Sequence, residues 1–165
     1  MLTYCRDKWA ENEKHLEEVI KNSTDHNDWS YADLVKLIVK EIFNHGDIHG
    51  NLVWATEDGD IVEIDHGKYR GTLLYLIHID TYQPDNYEYL IGSVSYGSCC
   101  VCDTLHRIQS LCDTLQRIQS YGNYNEEPPT KEQVSDYMTL CRDIVTSFKK
   151  PFAGWNDEIF EEVIY

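Results

Sequence analysis

The chain is short of positive charge. Its 14 Lys and Arg stand against 29 Asp and Glu, a formal charge of −15, which opposes contact with phosphate backbones and anionic lipid. Direct binding to nucleic acid is not expected. Long apolar runs are missing too: nothing approaches the roughly 18 residues of a membrane span, and "MLTYCRDKWAENEK" has no apolar core of signal-peptide length. These features lead to the expectation of a cytoplasmic protein with reduced thiols and no membrane contact. There is no second Cys-x-x-Cys to complete a four-thiolate zinc site, and no strand-helix-strand alternation of the kind that builds a parallel sheet.

What is present is enough for one domain spanning residues 1–165. A chain of this size buries about 68–70% of its unfolded surface, so folding requires neither a disulfide nor a metal. The 12 Tyr and 4 Trp supply large amphipathic groups for a core or an interface.

Periodicity divides the chain into four stretches. Residues 1–45 read as helical: Thr3 to Lys21 returns Trp9, Leu16, Val19 and Ile20 at helical spacing. "SYADLVKLIVKEIFN" then opens with Ser30 and Asp33 as a capping box and ends near Asn44. Residues 51–96 change to strand character, with turns at "EDGD", "DHGKYRG" and "YQPDN" separating strands near 51–56, 60–65, 71–79 and 87–96. Residues 98–149 return to helix, first through "TLHRIQSLCDTLQRIQS". After the loop "NYNEEPPT", the second helix starts at a Thr130–Gln133 capping box and carries a stripe through Val134, Tyr137, Met138, Cys141, Ile144, Val145 and Phe148. Residues 150–165 close the chain as an acidic helix or tail. The order predicts an α+β fold, with an antiparallel meander of about four strands flanked by N-terminal and C-terminal helices.

Two stretches carry chemistry. Cys99, Cys100, Cys102 and Cys112 crowd one region, too tightly spaced for a secreted disulfide framework. Cys99 and Cys102 have Cys-x-x-Cys spacing. On a helix His106 would lie one turn past Cys102, so Cys99, Cys102 and His106 form a candidate zinc site whose fourth ligand would be Cys141, Cys112, His45 or His49. A strand followed by Cys-x-x-Cys and a helix is also the local arrangement of a thioredoxin-like redox site. In the simplest packing alternative, Gly97 allows a sharp turn, Ser98 caps the helix and the cysteines are small residues at a tight junction. "CDTLHRIQS" at 102–110 returns as "CDTLQRIQS" at 112–120, and a step of ten residues rotates the second copy by about 80° on a helix. The two copies cannot present one face, as expected of a tandem duplication and not of a doubled site.

The other stretch is "HGDIHGN". It resembles the opening motif of the calcineurin-like metallophosphatases, which implies Asp47 and His49 as ligands of a two-metal centre. The residues before it carry helix spacing where that family has a strand, and Tyr124 of "GNYNE" stands where a later His ligand belongs. A polar connection between helix and strand accounts for the same residues.

A second resemblance rests on "GTLLYLIHIDTYQPDNYEYLIGSVSYGSCCVCDTL" and "EQVSDYMTLCRDIV", covering about residues 65–150. These are similar to a family of small acidic phage and prophage proteins with a G-T-L-L strand, a TYQP turn, a Tyr-rich strand and a Y-G-S-C-S-G-C-D-T-L junction. "SCCVC" replaces S-C-S-G-C here, and the CDTL.RIQS unit is doubled. The resemblance implies a viral protein in the host cytoplasm. Together with the acidity it leads to the expectation of a binding protein that docks on and inhibits a host or defence-system protein. The expected contacts are Glu57, Asp58 and Asp60 at a hairpin tip and Asp157, Glu158, Glu161 and Glu162 at the C-terminus, with no cofactor. A zinc- or thiol-dependent protein and a metallophosphatase-like hydrolase are the alternatives.

Overall fold

The structure, a computed structural model, describes residues 2–46, 53–57, 59–65, 67–99, 101–109 and 128–150. It is α+β, as expected. Helix α1 (Thr3–Lys21) buries Tyr4, Cys5, Trp9, Leu16 and Ile20 along one stripe. Helix α2 (Tyr31–Ile38) starts at the expected capping box: Asp33 N–H donates to Ser30 Oγ at 3.2 Å, and Ser30 N–H donates to Asp33 Oδ2 at 2.7 Å. It continues into a π turn, Val39–Phe43, where Asn44 N–H reaches back to the Val39 carbonyl. The π turn inserts one residue and rotates everything that follows relative to the α-helical stripe.

Three antiparallel strands, β1 (Val62–Asp65), β2 (Gly71–His78) and β3 (Tyr89–Tyr96), follow in the order β1-β2-β3. Among the described residues the expected count of four strands is corrected to three. The described part of the first expected strand contributes only an isolated bridge, Trp54 to Ile79. The outward backbone of Trp54 is taken by a side chain from across the helix-to-strand connection, with Trp54 N–H donating to Asn44 Oδ1 at 2.8 Å and Asn44 Nδ2 donating to the Trp54 carbonyl at 2.9 Å. An amide side chain has replaced a strand partner.

Leu73, Tyr75 and Ile77 of β2 and Leu90 and Val94 of β3 face the helices and are buried. Behind them lies α4 (Lys131–Ser147), capped by Thr130 and Gln133 as expected and burying Val134, Tyr137, Leu140, Cys141, Ile144 and Val145. Gly92 permits close approach: a Cβ there would lie 2.6 Å from Phe148 Cε1. Beyond α4, Lys149 pairs with Ile91 on the free side of β3.

The described part of the third helix, α3 (Thr104–Ile108), begins later than the sequence suggests. Its cap is Asp103 and not Ser98, and Cys102 lies in the turn before the helix. Asp103 is buried, and its carboxylate accepts from His106 N–H at 2.9 Å, Tyr31 Oη at 3.2 Å and Gly97 N–H at 3.0 Å. A buried carboxylate with three donors outcompetes an exposed serine for this role. Cys100, Cys112 and the second CDTL.RIQS copy lie outside the described residues, as does the tail from residue 151. No helix among the described residues is long and apolar enough to cross a membrane.

Candidate functional site

The junction after β3 is built around close backbone approach. A Cβ on Gly97 would stand 2.6 Å from both the carbonyl oxygen and the sulfur of Cys102, so any other residue would displace the turn. Cys102 N–H and Asp103 N–H both donate to the Cys99 carbonyl, at 3.0 and 2.8 Å. This tight turn leaves Cys99 and Cys102 exposed with their sulfurs 2.9 Å apart. The Cys102 thiol beside it, followed by the backbone N–H groups of Cys102 and Val101, lowers the pKa of Cys99 below the ordinary value of 9.0. All three stabilise a thiolate, which is the nucleophilic form. Cys5 and Cys141 are the opposite case: burial pushes each thiol up to about 12, as suits residues of the core.

His106 does not complete a metal set with this pair. Its backbone N–H is used by Asp103 and its Nδ1 lies 3.9 Å from Asp103 Oδ1. Cys99, Cys102 and His106 are not among the described residues whose ligand atoms gather within 4.8 Å. Two points correct the premise: Cys102 precedes the helix, so the one-turn spacing to His106 does not apply, and Cys141 is fully buried in the core.

A different cluster does gather. His15 on α1, Glu41 in the π turn and His45 just beyond it place one potential ligand atom each within 4.8 Å of one another. His15 Nε2 lies 2.7 Å from Glu41 Oε2, and the His45 ring stacks on His15 with centroids 3.6 Å apart. The spacing of Glu41 and His45 is visible in the sequence. His15 enters only through the packing of α1 on the π turn, and no linear motif announces it.

The third feature is the outer face of the sheet. Cross-strand pairing aligns Val62 with Leu76, Ile64 with Leu74 and Leu76 with Ile91, so all these side chains share one face. Among the described residues none belongs to the buried core or packs against it; Leu74, Leu76 and Ile91 are half-buried, and Val62 and Ile64 are 46% and 47% exposed. The tip leading into β1 is acidic, while the turn between β1 and β2 carries exposed Lys68 and Arg70. Glu57 is exposed at the tip leading into β1, while Asp60 closes the turn there by accepting from Glu57 N–H at 2.8 Å. Gly59, with φ +100°, supplies the conformation that this tip needs. Asp58, Asp157, Glu158, Glu161 and Glu162, like Asp47 and His49, lie outside the described residues.

The chain thus defines a class, an α+β protein with an exposed dithiol turn and an apolar outer sheet face. It matches no family model, and neither a curated protein nor a solved structure is significantly similar to it.

Proposed function

We propose that the protein acts by binding another protein, using the outer face of the sheet as the contact and the acidic tip before β1, with the net negative charge of the chain, to select a basic partner. The observation that carries this reading is the apolar row Val62, Ile64, Leu74, Leu76 and Ile91 on a face that the core does not use. An apolar centre with a polar rim is the anatomy of an interface, and contiguous exposed apolar surface marks such sites. The charge of −15 selects for a basic partner and accelerates encounter with it. Combined with the resemblance to small acidic phage proteins, this supports a phage-encoded protein that docks on and inhibits a host or defence-system protein in the host cytoplasm.

The test uses the tagged full-length chain to capture partners from host lysate, beside a Val62→Lys, Ile64→Lys double variant. Both positions are exposed, so circular dichroism should be unchanged. The expected result is one near-stoichiometric partner, with an on-rate that falls as salt rises and a Kd at least about tenfold weaker for the variant. Equal retention by the variant, or a partner indifferent to salt, would refute the reading.

A second reading, a thiol-dependent activity, is favoured by one observation: two exposed sulfurs 2.9 Å apart with Cys99 biased toward thiolate. Alkylation followed against pH should modify Cys99 with a midpoint below that of the Cys102→Ala variant, because the strongest thiolate-stabilising contact is gone in the variant. Coincident midpoints would reduce the cysteine pair to a packing feature.

A further inference from the structure

We propose that His15, Glu41 and His45 form a binding site for one divalent transition-metal ion of the zinc class. The site shares no residue with the protein-binding surface or with the cysteine turn. Two imidazoles and a carboxylate are a borderline-soft donor set suited to zinc, cobalt or nickel and poorly suited to calcium or magnesium, which prefer oxygen throughout. Three protein ligands would leave a fourth position of a tetrahedral ion open to water or a partner group.

The backbone carrying these ligands is held by hydrogen bonds from two asparagine side chains. Asn12, one turn before His15 on α1, is buried and donates from Nδ2 to the Ile42 carbonyl at 2.8 Å. That bond joins the ligand-bearing face of α1 to the residue next to Glu41. On the other side, Asn44 is fixed by its paired hydrogen bonds with the Trp54 backbone, which anchors the residue before His45. The π turn itself decides the direction of Glu41: without the inserted residue, the carboxylate would be rotated away from α1. Backbone support of this kind orients a site before its ligand arrives.

A simple His15–Glu41 ion pair accounts for the 2.7 Å contact but gives no role to His45. A metal uses all three. Tetrahedral coordination with Zn–N of about 2.0–2.1 Å puts ligand atoms roughly 3.3 Å apart, so His15 Nε2 and Glu41 Oε2, now 2.7 Å apart, must open slightly and the His45 nitrogen, within 4.8 Å of both, must come to the same spacing. Exposed His45 can supply that by side-chain rotation. Binding through His15 Nε2 requires its lone pair, so in the tautomer that donates to Glu41 the proton moves to Nδ1 or to solvent. Glu41 Oε1 meanwhile keeps its contact with Lys40 Nζ at 3.2 Å.

The experiment is calorimetric titration of zinc alone into tag-free, chelator-stripped full-length protein carrying Cys99→Ser, Cys100→Ser, Cys102→Ser and Cys112→Ser, which removes the clustered thiols and leaves only the buried Cys5 and Cys141. Saturable uptake of one equivalent is expected, weakened about tenfold or more by His45→Ala and by Glu41→Gln. His45 is exposed, so the His45→Ala variant should keep its circular dichroism spectrum even if Glu41→Gln does not. Cobalt loaded into the cysteine-intact protein should give a nitrogen–oxygen spectrum without a thiolate charge-transfer band. The proposal is overturned by no saturable uptake, by uptake unchanged in His45→Ala, or by a thiolate band as the dominant cobalt signal.

Discussion

Replacing Asp103 should do more damage than any exposed acidic substitution, because one buried carboxylate holds together three segments. It accepts from Gly97 N–H after β3, from His106 N–H at the start of α3, and from Tyr31 Oη at the start of α2. Asp103→Ala leaves these donors without a partner in a site that is 3% exposed. Each orphaned donor costs about 1–3 kcal/mol, with relaxation recovering some of it, and loss of the cap is part of the same sum. A total of about 4 kcal/mol is expected, a large part of the roughly 5–15 kcal/mol that stabilises a typical domain. With an m-value of about 2 kcal/mol/M, the urea midpoint should fall by roughly 2 M at unchanged m. Asp103→Asn should lie between wild type and Ala, since its amide can accept from one side but turns a donor toward the other. Tyr31→Phe should cost about 1–2 kcal/mol, because Tyr31 Oη also accepts from Leu105 N–H at 3.2 Å. The combined Asp103→Ala, Tyr31→Phe variant should lose less than the sum of the singles, by about 0.5 kcal/mol or more. A loss below about 1 kcal/mol for Asp103→Ala, or strict additivity, would refute the account of this junction.

Two further outcomes follow from packing and from burial. Gly92→Ala should destabilise by about 1–3 kcal/mol in the same assay, because the new methyl meets the buried Phe148 ring at 2.6 Å; Phe148→Leu should recover part of that loss, and a neutral Gly92→Ala would show that the contact has slack. His26 is buried with Nδ1 unpartnered among the described residues, and burial lowers its pKa below 6.5, although Asp25 and Asp28 oppose the shift. The unfolded chain therefore binds more protons just below 6.5, so His26 should make stability fall as pH drops through that region; His26→Gln should flatten this part of the urea-midpoint profile, and a parallel profile would count against it.

The parts of the fold legible in the sequence are those set by local chemistry. The capping boxes Ser30–Asp33 and Thr130–Gln133 mark their helices because the donor and acceptor lie within one turn. α1 runs over the expected residues because its apolar stripe and the loss of helical hydrogen bonding after Lys21 are both local. The misread features depend on distant groups. Asn44 ends strand formation at Trp54 from across the helix-to-strand connection, and Asp103 displaces Ser98 as cap because Tyr31 and Gly97 also need an acceptor. His15 and Glu41 meet across 26 residues. The cysteine spacing did locate an exposed, adjacent pair of sulfurs, but they come together through a turn that Gly97 makes room for, and not through a helix face.

The dithiol turn and the histidine cluster lie on different elements, yet α2 touches both. At its N-terminal end Tyr31 Oη donates to Asp103 and accepts from Leu105, fixing the segment that follows the cysteines. At its C-terminal end the π turn sets Glu41 against His15. Between these ends Leu34, Val35, Ile38 and Val39 are fully buried, so α2 is held by the core along its length and cannot shift one end without straining the other. Movement of the cysteine turn and of the π turn should therefore be coupled through a packed element and not through solvent. The outer sheet face lies on the far side of β2 from this helix, with Leu73, Tyr75 and Ile77 intervening, so a partner docked there would leave both polar clusters accessible.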